Sequence, residues 1–452
     1  MTGCVLKMVL ALGLTVSATR AQDVDPMMGG APPPTVATPR EGCVTADCHP
    51  GVKAARFLHG PVNVNACDSC HTLTNPAEHS FTIARTRRDL CTFCHQIEES
   101  TDEFVHEPYA QGECLSCHDP HGSSERVMLR GRNYAESCVQ CHGDVSGAHD
   151  QVHGPVAAGA CGACHEPHSA PHRGLLTLND RDLCLRCHVA VGEELDSMRF
   201  VHDPAAVDCR LCHDPHATDR AGMLQQEPEA LCTSCHDDIA RIIDGASTQH
   251  AAVTTDRSCL NCHSPHASNR EAMLRDSAAA LCFECHDKEI TLEDGRVLKN
   301  MKAIIDSGTS LHGPVAQNNC TACHEIHGGG NDRLLTNEYP SSLYYPYSGN
   351  AYALCFSCHD RQMVLQEQND AVTGFRNGKQ NLHYVHVNQD ERGRSCRVCH
   401  DSHASSRDHI IRDSIPYGPA GWKLPIGYTK TENGGTCNGG ATSRSPMTAF
   451  RP

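Results

Sequence analysis

Residues 200–236 read FVHDPAAVDCRLCHDPHATDRAGMLQQEPEALCTSCH. This stretch holds two C-x-x-C-H motifs, Cys209/Cys212/His213 and Cys232/Cys235/His236. His202 lies upstream of the first motif and His216 three residues after it. Two thiols followed directly by an imidazole at this spacing form the attachment signature of c-type haem. The thiols add to the haem vinyl groups, and the adjacent histidine reaches the iron from one side. His202 and His216 are the kind of residue that closes the opposite faces of two haems.

The motif recurs outward in both directions. Upstream stand Cys67/Cys70/His71, Cys91/Cys94/His95, Cys114/Cys117/His118, Cys138/Cys141/His142, Cys161/Cys164/His165 and Cys184/Cys187/His188. Downstream stand Cys259/Cys262/His263, Cys282/Cys285/His286, Cys320/Cys323/His324, Cys355/Cys358/His359 and Cys396/Cys399/His400. A wider version, Cys43/Cys48/His49, opens the series with four residues between its cysteines. These fourteen motifs use 28 of the 30 cysteines and leave only Cys4 and Cys437. From Cys43 to Cys282, successive first cysteines are 23 to 27 residues apart, so two motifs make one repeat. A fixed internal period is the mark of a repeat architecture. The gaps then widen to 38, 35 and 41 residues.

The other histidines keep the same period. One set precedes alternate motifs: His59, His106, His153, His202, His250, His312 and His386. A second set lies three residues past the motif histidine: His121, His168, His216, His266, His327 and His403, with His79 displaced in the first repeat. Seven and seven make fourteen candidates for the second axial position of fourteen irons. His149, His172, His383 and His409 remain, and His383 competes with His386 three residues later. A motif histidine and the histidine three residues on are too close to grip one haem from both faces. Each therefore holds a different haem, which brings two porphyrins together.

Zinc is the main alternative for paired C-x-x-C, since two pairs make a Cys4 site. Neither zinc nor a disulfide framework explains a histidine directly after every pair. Met128, Met223 and Met273 share one repeat position with Leu175, Leu334, Phe81 and Ile410. That interchange indicates packing rather than iron ligation.

Lys and Arg number 38 against 54 Asp and Glu, a net charge of −16. This argues against nucleic acid and suits basic docking partners or cationic substrates. Aromatics are only 4% of the chain, too few to build a large core in the usual way. Haem faces are expected to supply the missing apolar surface.

The expected organisation has five parts. Residues 1–21 read as a secretory signal peptide and 22–42 as a Pro/Gly-rich tether. Residues 43–287 are regular haem repeats and 288–403 are haem repeats with insertions. Residues 404–452 are a C-terminal tail. The insertion at 328–352 carries five of the ten tyrosines and reads as a surface loop packed on itself or as a contact surface. No later segment approaches membrane-spanning length, so the mature chain is expected to be exported and not membrane-spanning.

The alternation H…C-x-x-C-H-x-P-H…L-C-x-x-C-H resembles the multihaem c-type cytochromes with doubled C-x-x-C-H motifs, over about residues 43–403. More loosely it is similar to the periplasmic decahaem subunits of porin–cytochrome conduits. The stretch NLHYVHVN…CRVCHDSHAS…GWKLPIGYTKTENGGTC also resembles the end of such proteins, where the final GG-x-C often starts another haem motif. Here Cys437-Asn438-Gly439-Gly440 has neither second cysteine nor histidine, and reads as a lost fifteenth site. The resemblance implies extracytoplasmic electron transport.

The expected fold is mostly irregular with short α-helices, an extended multihaem repeat architecture with a haem-filled core and little β structure. Roughly 31 residues per motif is too few for separate globular domains. The expected cofactors are fourteen covalent haem c groups, with redox proteins as donor and acceptor, and a porin or copies of the chain itself as further partners. The expected role is an electron carrier, periplasmic or at the cell surface. The alternatives are a reductase with one open haem, or a filament subunit.

Overall fold

The computed structural model describes residues 43–44, 49–368, 371–417, 422–431 and 434–439. The expected signal peptide, the tether and Cys48 lie outside the described residues. The chain divides into two compact units. One takes the residues up to Gly147 together with Gly154–Asn179, and the other takes Ala148–His153 with Asp180–Pro452. The division falls inside the regular repeats.

Each repeat begins with a two-residue strand that ends at the upstream histidine. That histidine caps a short helix, as at Gly60–Asn63, Glu107–Ala110, Asp203–Val207 and Gly313–Ala316, each with proline in its first turn. Proline fits there because its missing N–H has no partner in a first turn. The first motif of each repeat then forms a 3-10 turn, as at Cys67–Ser69, Cys114–Ser116 and Cys209–Leu211. The second motif lies on or at the end of an α-helix, as in Tyr134–His142, Pro228–Thr233 and Ala278–His286.

Successive repeats are clasped by antiparallel strand pairs too short to appear in any sequence pattern. Phe57–Leu58 pairs with Gly122–Ser123, and Phe104–Val105 with Ser169–Ala170. In the second unit Gln151–Val152 pairs with Ala217–Thr218, Phe200–Val201 with Ala267–Ser268, Thr248–Gln249 with Gly328–Gly329, and Ser310–Leu311 with Ala404–Ser405. In every case the strand before an upstream histidine meets the residues just past the H-x-x-H of the following repeat. Gly122 sits at φ 136°, and a Cβ there would collide with the Phe57 carbonyl oxygen. The first clasp therefore needs glycine at that position.

Few apolar side chains are buried. Among the described residues the largest cluster joins Ala351, Tyr352, Val364 and Val387, with Tyr339, Tyr347, Phe356 and Cys396 packed against it. The tyrosine-rich insertion thus folds inward around Tyr352, while Tyr344 and Tyr345 stay exposed. The C-terminal tail, read from sequence as the remnant of a haem motif, is a three-stranded antiparallel sheet of Ser414–Tyr417, Trp422–Thr431 and Gly434–Gly439. Cys437 pairs with Tyr428 inside it. Alternating β-branched and aromatic residues favour that strand structure.

Candidate functional site

The C-x-x-C-H segment closes as one helical turn. The backbone N–H of the motif histidine donates to the carbonyl of the first cysteine, for example His118 to Cys114 at 2.9 Å and His236 to Cys232 at 3.1 Å. Both thiols and the imidazole therefore project from a single turn, which suits attachment to one flat macrocycle.

The attachment cysteines, all of one kind in the sequence, differ in exposure. The second cysteine is exposed in the helical motif that ends each repeat, at Cys94, Cys141, Cys187, Cys235, Cys285 and Cys358. It is half-buried in the motif that opens each repeat, at Cys70, Cys117, Cys164, Cys212, Cys262 and Cys323, and in the last motif at Cys399. The chain after an opening motif accounts for the difference, because it folds back onto that cysteine. The Cys164 carbonyl accepts from the Thr177 N–H at 3.0 Å, and the Cys399 carbonyl from the Arg412 N–H at 2.8 Å. After Cys187 the chain instead runs on into the helix Val189–Ser197. None of the described motif cysteines is spent in a disulfide, Cys164, Cys187 and Cys399 included.

The histidine rings face one another in pairs, each joining one motif histidine to one non-motif histidine. In the first unit these are His49–His79, His71–His121, His59–His95, His118–His168 and His106–His142, with centroids 6.2, 6.0, 5.8, 6.2 and 6.0 Å apart. In the second unit His153–His188, His202–His236 and His213–His266 stand at 6.0, 6.1 and 6.0 Å. His250–His286, His263–His327, His312–His359 and His324–His403 follow at 6.5, 6.2, 6.1 and 6.2 Å. The last pair is His383–His400 at 6.5 Å. Two imidazoles bound to one metal at about 2 Å each have centroids about 6 Å apart. The spacing thus fits one iron between each pair, with planes within 23° of parallel except in His118–His168 and His213–His266, which are tilted by 34° and 39°. Of the remaining candidates, His165 belongs to the first unit and His216 to the second.

The pairing has a register. Within each unit, the first motif of a repeat faces the downstream histidine of the next repeat, as His71 faces His121. The second motif faces the upstream histidine of its own repeat, as His95 faces His59. The strand clasps hold this register. Upstream histidines donate their backbone N–H to the carbonyl of the downstream histidine one repeat on, as His106 to His168 at 2.9 Å and His202 to His266 at 2.9 Å.

Ring orientation is set by backbone carbonyls. The Nδ1 atoms of His59, His106, His153 and His202 bond to the carbonyls of Pro120, Pro167, Pro215 and Pro265 at 2.8–3.0 Å. His250 uses Ile326 at 2.8 Å. Motif histidines His118, His165, His213, His263, His324 and His400 bond in the same way to Val127, Gly174, Gly222, Ala272, Arg333 and His409. A protonated Nδ1 leaves Nε2 bare for a metal, the usual second-shell device for ligating histidine. Burial lowers the pKa of His59, His286, His327 and His403, and of His383 to about 4, so these rings are neutral, as ligation requires. Proline in H-x-P-H supplies the acceptor, a role that the sequence reading missed.

The ring that faces His400 is that of His383, three residues before the candidate His386. Asn381 is fully buried, caps the helix Leu382–Val387 and accepts from the His383 N–H. His386 instead turns its Nδ1 to the Leu382 carbonyl of its own helix at 2.7 Å. Of the other spare histidines, His149 contacts Asp219 at 3.1 Å and His409 contacts Asp408 at 2.9 Å. Met128, Met223 and Met273 share φ values of 54–60° with Leu175 and Leu334, a common backbone position at the end of the loop after the motif. Among the described residues, no three His, Cys, Asp or Glu side chains gather to hold a bare metal ion.

Neighbouring motifs meet through their thiols. First cysteines approach in the pairs Cys43–Cys67, Cys91–Cys114 and Cys138–Cys161 of the first unit, and Cys232–Cys259, Cys282–Cys320 and Cys355–Cys396 of the second. Second cysteines approach in the alternate steps Cys70–Cys94, Cys117–Cys141, Cys212–Cys235, Cys262–Cys285 and Cys323–Cys358. At the same place in this alternation, Cys164 belongs to the first unit and Cys187 to the second, while Cys399 lies in the last motif of the series. No helix among the described residues is long and apolar enough to cross a membrane.

A family model described as the doubled CXXCH motif matches residues 59–99, 106–147, 153–193, 202–241, 250–291 and 312–364, together more than half of the chain. Each matched segment starts on an upstream histidine and runs past the second motif. No curated protein matches the chain.

Proposed function

The chain belongs to the doubled CXXCH motif family of multihaem c-type cytochromes, and from that membership we propose that it carries fourteen covalent haems and conducts electrons along them. Haem iron supplies reversible one-electron oxidation and reduction when bound. The protein's own residues do the rest. The motif cysteines fix each macrocycle, the paired histidines close both of its faces, and the Nδ1–carbonyl bonds hold those histidines in orientation. The observation that carries this reading is the set of facing histidine pairs, each with one member inside an attachment motif.

Two closed faces leave no position on iron for a substrate, which favours a carrier over a reductase. The alternating thiol contacts support an electron path that follows motif order within each unit. Redox proteins at either end, export to the periplasm or cell surface, and docking to a porin or to further copies complete the proposal. The test is the intact mass of the exported protein. The expected value is the cleaved chain plus fourteen haem masses, and a chain without covalent haem would overturn the reading.

A further inference from the structure

The inserted segment before the thirteenth motif wraps the attachment cysteines of the last two motifs in tyrosine. Tyr352 is fully buried, with Tyr339 edge-on at 6.0 Å and Tyr347 stacked at 5.9 Å. Cys396 packs against this cluster, and Cys355 approaches Cys396 from the neighbouring motif. The Tyr339 hydroxyl accepts from the Arg397 N–H at 3.1 Å. The Tyr352 hydroxyl is buried there with no hydrogen-bond partner. Buried hydroxyls are seldom left unpaired, because each forgoes its bond to water. The Tyr352 hydroxyl meets no acceptor from the polypeptide, so a tyrosine placed here instead of phenylalanine calls for one that the chain does not supply.

We propose that Tyr352 sets the potential of the last haem, its hydroxyl donating to the thioether edge of the group attached at Cys396. This rests on the haem reading above. Burial pushes the Tyr352 phenol up to about 12 and the Tyr339 phenol higher still, so both stay protonated donors. A hydroxyl dipole with its hydrogen toward the macrocycle favours the reduced, less positive state. In a dry pocket that preference is weakly screened, so the donor raises the potential. No other repeat has this insertion, so the effect falls on one end of the chain of haems, where it draws electrons toward the terminal site.

Tyr352→Phe in the full holoprotein tests the idea, read by intact mass, spectroelectrochemical titration and thermal midpoint. The expected result is an unchanged haem count, one midpoint potential moved to a more negative value with the others fixed, and no gain in thermal midpoint. Tyr345→Phe, at an exposed position, is expected to move nothing. Unchanged potentials in Tyr352→Phe overturn the proposal, and a raised thermal midpoint beside them identifies the hydroxyl as an unsatisfied group. Should that variant fail to fold, 3-fluorotyrosine at 352 strengthens the donor without changing its shape. The same potential must then rise, and a potential that stays put overturns the proposal. A wild-type mass lacking the haem at Cys396 would instead refute the haem reading beneath it.

Discussion

The ring of His383 faces the ring of His400 across 6.5 Å with planes 19° apart, and His386, one turn further on, does not. A cap residue makes the difference. Asn381 donates to the Met363 and Gln366 carbonyls and accepts from the His383 N–H, which fixes the start of the helix. His383→Ala is expected to convert one low-spin iron to high spin, and His386→Ala to leave the low-spin signal whole. Electron paramagnetic resonance of both oxidised variants decides it. The reverse pattern restores His386 as the ligand.

Met273→Leu is expected to leave the haem spectrum unchanged and to cost less than about 1.5 kcal/mol, as volume-conserving core exchanges do. Met273 has φ 55°, as Leu334 and Ile410 have φ 55° and 51° at the same repeat position. Loss of a low-spin band in this variant would make the methionine a ligand.

Gly122→Ala is expected to destabilise the holoprotein by about 1–3 kcal/mol through backbone strain and collision with the Phe57 carbonyl. It also pulls on His121, the partner of His71. Gly143 has φ 67° but nothing within 4 Å of an added Cβ, so Gly143→Ala is expected to cost only about 1 kcal/mol. Equal thermal midpoints for the two variants would show that the clasp carries no strain.

Without haem the chain is expected not to fold cooperatively. Among the described residues the buried apolar side chains form only a small cluster around Tyr352, and most attachment cysteines are partly exposed. Chain produced without haem attachment is expected to melt without a sharp transition and to be cut rapidly by protease. A sharp calorimetric peak from that material would show a core independent of haem.

Much of this was legible in the sequence because haem attachment is a local pattern. Cys209, Cys212 and His213 form one turn, and their spacing states the chemistry. Spacing does not separate Cys164 or Cys399 from the more exposed Cys187, since that difference depends on where the following chain goes. The histidines that face the motif histidines were legible as a repeating set, since their period matches that of the motifs. Their assignment was not, because it depends on two-residue strands such as Phe200–Val201 against Ala267–Ser268, which leave no periodicity to read. His383 and His386 lie on the same short helix, and their contacts with Asn381, Thr373 and Leu382, which spacing does not show, separate them. The strand pairing of the tail was not legible. Its GG-x-C resembles a motif opening, while its neighbours Tyr428 and Thr429 are strand formers that pair with it. The tyrosine insertion showed its composition but not its direction, which the burial of Tyr352 reveals.

The central claim is that every iron is closed by two histidines. Its most exposed point is the wide first motif, where His49 meets the displaced His79 at 6.2 Å with planes 21° apart. Electron paramagnetic resonance of the oxidised protein, with carbon monoxide titration of the reduced form, tests it directly. The account predicts low-spin signals alone and no stoichiometric carbon monoxide binding. A stoichiometric high-spin signal that binds carbon monoxide, and disappears when Cys43 and His49 are replaced, would contradict it and mark an open, substrate-binding haem.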